Sequence, residues 1–329
     1  MIGSLWQYRD YVRASVAREL RLRYAGSALG ALWQILSPLA MIAIYTLVFS
    51  GLMKARLQGI GDPYAYTIYV CSGLLAWTMF AEILVRSQTM FLENANLLKK
   101  SSFPRSCVPA IVGSSALASF AIVYSVFLAL LALSGRWPGV VVVAAVVPLL
   151  LLAFLALAAG VFLGIVHVFF RDVGHVLGIV LQVWFWLTPI VYPVQILPAS
   201  YAKWIWINPV TPIVQALQAI FVEQAWPDWT SLLYPAGLAA VLGALSAAMF
   251  RRQSPWIVDE LWRVRLRCRE SARPIANTTH HATGCSNGFR WDRSSATDRG
   301  GRCAISRWRW SRASRSASSV PTAQARARC

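Results

Sequence analysis

The chain has 329 residues, of which 57% are hydrophobic and 13% charged, with a formal net charge of +18. A soluble globular chain carries about a quarter charged residues, so the composition excludes one and points to an integral membrane protein. The positive excess does not argue for nucleic acid, because the segment from Trp262 onward holds fifteen Arg, no Lys and three acids, two thirds of the whole.

Residues 1–30 carry Arg9, Arg13, Arg18, Arg21 and Arg23 and no clean apolar core of a signal peptide. Leu5, Trp6, Val12, Val16, Leu20 and Leu22 can share one broad helical face. This predicts an amphipathic helix on the membrane surface; a soluble helix packed on another domain is the alternative. Six apolar stretches follow, at 31–53, 65–85, 107–133, 139–168, 174–194 and 230–250, each long enough for a hydrocarbon core of ~30 Å. With the N-terminus inside, the inner segments hold twelve Lys and Arg of residues 1–261, and the outer loops only Lys54, Arg56, Arg136 and Lys203. That bias puts both ends of the core in the cytoplasm.

Residues 195–229 are too apolar for a water-exposed loop, and Pro198, Pro209, Pro212 and Pro227 break them into pieces too short to span. Short re-entrant or interfacial helices on the outer side are expected, with Trp204, Trp206, Trp226 and Trp229 in an aromatic belt. The fold class is therefore an all-α polytopic membrane protein with an interface helix, six spans and short re-entrant helices before the last span.

No enzyme signature is present. Glu82 and His167 fall near the inner ends of their spans, where solvation by the interface is expected. No chain of Asp, Glu and His suggests a proton relay, so energy for transport must come from elsewhere. Trp184, Phe185, Trp186 and Tyr192 in the fifth stretch, with Tyr45 and Phe49 in the first facing them, are candidates to stack on sugar rings. Helix packing or lipid contact is the plainer reading, and the three adjacent aromatics cannot all point one way. Cysteine spacings do not fit zinc; Cys71 and Cys107 are expected to be ordinary small residues in apolar helices. In the inner loop 91–110, Glu93 to Lys100 can form a short helix ended by Pro104. Lys99, Lys100 and Arg105 there could bind anionic lipid or dock a cytoplasmic partner.

RYAGSALGALWQILSPL (23–39), NANLLKKSSFPR (94–105), FFRDVGHVL (169–177), TPIVYP (188–193) and NPVTP (208–212) occur in that order. Together they resemble the permease subunit of type-2 ABC exporters of polysaccharide, which serve O-antigen, capsule and teichoic acid. The resemblance covers about 1–261. It implies a homodimer of six-helix subunits in the bacterial inner membrane with two copies of a separate ATPase. ATP and Mg would be bound by that partner, with no cofactor in this chain, and a lipid-linked glycan would move outward. Asn94, Lys99, Lys100, Phe103, Pro104 and Arg105 match the coupling helix that docks the ATPase. Arg21, Arg23 and Tyr24 match the interface helix, which meets ATPase and lipid headgroups. An exporter of a drug or small lipid stays open, as do, further off, a membrane glycan-processing enzyme and a non-transporting ATPase anchor.

Family members end soon after a stretch like Val258–Leu261, yet here residues 262–329 follow. Read two bases later, the codons allowed for Val320 to Cys329 are compatible with G-P-N-G-A-G-K-S-T-L. That is a P-loop, whose backbone amides cradle ATP phosphates. The segment 262–329 is therefore expected to be an out-of-frame read-through into a neighbouring ATPase gene and, being Arg-rich and poor in apolar residues, disordered. A genuine basic tail is the alternative.

Overall fold

The computed structural model describes residues 8–23, 30–52, 64–98, 107–194, 198 and 204–253, and the pairs 291–292 and 309–310. The chain divides into two units, Met1–Leu266 and Arg267–Cys329. In the second, Trp291–Asp292 pairs antiparallel with Arg309–Trp310; the expected disorder of 262–329 otherwise lies outside the described residues.

The first unit is helical among its described residues. Helix α1 spans Arg9–Arg23. A 3₁₀ turn leads into α2, Trp33–Tyr45, which continues as a π-helical stretch, Thr46–Leu52. Then come α3, Ala65–Glu93, α4, Cys107–Leu133, and α5, Val146–Phe169, the last preceded by a 3₁₀ segment from Gly139. Helix α6 is Val173–Leu187, α7 is Val210–Gln218 and α8 is Leu233–Gln253.

Four of these are long and apolar enough to cross a membrane: α3, α4, Gly139–Phe169 and α8. They coincide with four of the six expected spans. The stretches expected at 31–53 and 174–194 form shorter apolar helices, Ile35–Ser50 and Val173–Leu187. Helix α6 stops seven residues early for a local reason. A residue before proline is pushed out of the α region by the proline ring, and Thr188, before Pro189, is extended at φ −98°, ψ 129°. Fifteen residues of helix reach only about 22 Å.

Helix α3 is the centre of the unit. Its partners α4, α5 and α7 surround it, and Val70, Phe80, Ile83, Leu84, Met90 and Phe91 are almost wholly buried. Its closest neighbour is α5. Two glycines four residues apart, Gly160 and Gly164, sit where α5 crosses α3. A Cβ on Gly160 would collide with the Ser87 Cβ, and one on Gly164 would lie 2.7 Å from the Ser87 carbonyl oxygen. Small residues at that spacing let two helix backbones approach, and such contact drives helix association where lipid offers no hydrophobic gain.

Within 195–229 the helices are short, as expected: 204–207, α7, and the π-helical Ala219–Glu223. Val210, Ile213, Val214 and Leu217 are buried against α3 and α5. Trp204, Trp206, Trp226 and Trp229 are all exposed.

Candidate functional site

The first constellation lies at the end of α3 that carries Glu82 and Arg86. Three helices each present a pair of polar residues four apart, and so on one face: Glu19 and Arg23 on α1, Glu82 and Arg86 on α3, Ser115 and Ser119 on α4. Arg23 pairs with Glu82 and donates to Ser119 Oγ at 2.8 Å. Arg86 pairs with Glu19, lies 3.5 Å from Glu82 and donates to Ser115 Oγ at 2.9 Å. Charges alternate along the chain Glu19–Arg86–Glu82–Arg23, and a cavity of about 320 Å³ opens beside them.

Glu82 is thus not simply solvated at the interface, as its position near a span end suggested. Two guanidinium groups hold it, and its side chain is 31% exposed. The reason is spacing: a span residue facing the α1 side meets the two cations that a four-residue repeat delivers. His167 is also not solvated. It is buried, and its Nδ1 has no hydrogen-bond partner among the described residues.

The network fixes α1 to α3 and α4, so a displacement of α1 must move charges that α3 also holds. Arg86→Glu would set a third carboxylate beside Glu19 and Glu82. We expect it to lower unfolding stability in detergent by roughly 1–3 kcal/mol, the cost of leaving partly buried polar groups unpaired, and Glu19→Lys in the same chain to recover part of the loss. Thermal unfolding of the two single variants and the double variant checks this. Additive losses would mean the residues do not act together.

The second constellation is aromatic. Tyr45 stacks on Phe49 at 6.0 Å with 17° between planes, Phe49 meets Tyr66 at 5.2 Å, and Tyr66 meets Tyr69 at 6.2 Å. These rings hold the loop that follows α6. Tyr66 donates its hydroxyl to the Val191 carbonyl at 2.6 Å, and the Tyr69 hydroxyl lies 3.3 Å from the Tyr192 carbonyl. Tyr192 in turn donates to the Trp186 carbonyl.

Among the described residues no ring contact joins Tyr45 and Phe49 to the α6 aromatics they were expected to face. Trp184 packs on Trp77 and Phe80, and Phe185 on Trp77 and Trp186. Trp184 is held in place, because its indole N–H donates to Asn208 Oδ1 at 2.9 Å while Asn208 donates to Thr188 Oγ1 at 2.8 Å. Trp186, one residue pair on, is 63% exposed. Asn208 is a positioning residue that periodicity alone does not reveal; its only sequence signal is the two prolines of NPVTP, which mark a turn.

Of the loop residues matched to the coupling helix, Asn94 caps α3, donating its side-chain amide to the Met90 carbonyl at 2.9 Å. The following turn, Ala95–Leu98, is anchored by the buried Leu98. Lys99, Lys100, Phe103, Pro104 and Arg105 lie outside the described residues, as does Tyr24. Arg21 is exposed in the last turn of α1. Cys71 and Cys107 are both buried.

Long apolar helices packed through small residues define a multi-pass membrane protein. The chain belongs to the ABC-2 type transporter family, which it matches over residues 11–222. It is 30% identical over 203 residues to the O-antigen export system permease protein RfbA of Myxococcus xanthus, covering 62% of this chain and 76% of that one. A protein of the same name from Klebsiella pneumoniae is 28% identical over 187 residues, 56% of this chain and 70% of that one. The polysialic acid transport protein KpsM of Escherichia coli is 25% identical over 193 residues, 58% of this chain and 72% of that one.

Proposed function

We propose that this chain is the membrane subunit of an ATP-driven exporter that carries a lipid-linked polysaccharide, of O-antigen or capsular type, outward across the bacterial inner membrane. The observation that carries the reading is the similarity to the Myxococcus permease, which runs through three quarters of that protein. The chain itself is no enzyme: ATP and Mg would sit on two copies of a separate ATPase, with this chain as a homodimer between them. Helices α2 and α6 complete six spans, α1 lies on the cytoplasmic surface with both ends of the core inside, and residues 195–229 re-enter from the outer side. The distribution of Lys and Arg supports that orientation. Segment 262–329 would be read-through without a role in export.

Inverted inner-membrane vesicles carrying this chain, its ATPase and a lipid-linked glycan on the outer face test the reading. The glycan should move to the lumen only when all three and ATP are present. A chain ending at Leu261 should do the same. ATP-dependent movement of a drug or short lipid but not of glycan would favour the small-solute exporter, and ATPase binding with no movement would favour a mere anchor.

A further inference from the structure

A groove of about 840 Å³ opens between α2, the first turns of α3 and the last turns of α4. Neither constellation described above uses it. Its walls are apolar for most of their length, with Leu39 and Ile42 of α2 and Leu47 of the π-helical stretch that continues it opposite Ile68 of α3 and Phe127 and Leu131 of α4. Its polar groups gather at one end. There the Arg136 guanidinium sits over the Tyr64 ring, 4.6 Å from its centroid. Thr67, one turn into α3, is 5% exposed, and its hydroxyl has no hydrogen-bond partner among the described residues.

Local backbone chemistry puts Arg136 at that end. Helix α4 closes on Gly135, left-handed at φ +73°. The Gly135 N–H reaches the Ala132 carbonyl at 3.1 Å and the Arg136 N–H the Leu131 carbonyl at 2.9 Å. This glycine-terminated cap fixes the direction in which the chain leaves the helix. The cation is therefore delivered to the mouth of an apolar slot by the turn itself.

We propose that this groove binds one anionic phospholipid, with an acyl chain along α2, its phosphate on Arg136 and an ester carbonyl accepting from the Thr67 hydroxyl. The dimensions agree. Residues 39–47, the end of α2 and the start of its π-helical continuation, rise about 12 Å, close to one leaflet of a hydrocarbon core of ~30 Å. The charge agrees, since a guanidinium at the depth of the headgroups pairs with a phosphate through charge-assisted hydrogen bonds. The buried hydroxyl agrees, because left unpaired it costs free energy that an ester oxygen relieves. On the orientation proposed above, the Arg136 end faces the outer leaflet. Only that leaflet assignment rests on the earlier reading.

The test uses the full chain in vesicles containing phosphatidylglycerol with a photoactivatable group in its acyl chain. Labelling should concentrate on peptides covering Leu39–Leu47 and Phe127–Arg136, and unlabelled phosphatidylglycerol should compete it away, a measurement that needs no variant. Ala43→Trp, which fills the groove, and Arg136→Gln should each lower labelling about fivefold or more. Equal labelling of α8, absence of competition, or competition only by the lipid-linked glycan would overturn the site. Orientation is read separately with Trp137→Cys in an otherwise cysteine-free chain and an impermeant maleimide. Reaction from the inside only would overturn the orientation and leave the lipid site standing.

Discussion

Gly164→Leu is expected to prevent α5 from seating on α3 and to cut the yield of folded, monodisperse protein severalfold. A Cβ at Gly164 meets backbone, the Ser87 carbonyl oxygen at 2.7 Å and that of Gln88 at 3.3 Å, as well as the Phe91 ring at 3.3 Å. Backbone carbonyls of a helix cannot swing aside as a side-chain tip can. The two helices would have to separate, and every contact between them would loosen. Overpacking of this kind costs roughly 1–3 kcal/mol or more, and the α3–α5 contact is the most extensive among the described helices. Gly160→Leu should behave alike, because it runs into the Ser87 side chain and the Leu84 carbonyl oxygen. Gly237→Leu, on α8 with nothing within 4 Å of its Cβ position, is the control and should change little. Size-exclusion profiles and thermal midpoints in detergent measure all three. A Gly164→Leu protein with the midpoint of the native chain would show that α3 and α5 do not need this approach.

Reversing Lys99, Lys100 and Arg105 to Glu together is expected to abolish co-purification with the ATPase. The three cations follow a turn that is well fixed: Asn94 caps α3, and Leu98 is buried beside Met90, Phe91 and Val108. Replacing three cations with three carboxylates turns every favourable encounter with an acidic surface into a repulsive one. Losing charge pairs at an interface costs 2–5 kcal/mol or more, so association should weaken by roughly a hundredfold or beyond. Pull-down of the ATPase with the native and reversed chains, at low and high salt, measures it. Unchanged co-purification would remove the docking role and leave these cations to anionic lipid.

The long helices were legible because length and hydropathy alone define them. The stretches expected at 107–133 and 139–168 correspond to Cys107–Leu133 and Gly139–Phe169. Helix α3 runs on to Glu93, beyond the expected 85, because Arg86, Ser87 and Gln88 look like the end of a span and are in fact accommodated by neighbouring helices. The break after Leu187 was readable in principle from Thr188–Pro189, but an apolar run of 174–194 hides a proline rule behind hydropathy. The chain of ion pairs was not legible at all. Glu19 with Arg23 and Glu82 with Arg86 each look like an ordinary pair four apart, and only the packing of α1 shows that they answer each other. For the aromatics, sequence named the residues but could not say which share a surface: Tyr45 and Phe49 continue onto Tyr66, while Trp184 is tied to Asn208.

Helix α3 also bears on how the protein is made. Its most apolar stretch is 78% buried by other parts of the chain, against 28% for α4, and it is less apolar than α4 and than the Gly139–Phe169 helix. It carries Glu82 and Arg86, residues that partition poorly into lipid on their own. When the ribosome has delivered α3, the helices that will enclose it do not yet exist. About 75 further residues must emerge before α5 is complete, on the order of ten seconds of synthesis at roughly 5–20 residues per second. During that interval α3 must be held without the helices that later cover it. The centre of the finished protein thus waits for its enclosing helices, and slowing translation between α3 and α5 would lengthen that wait.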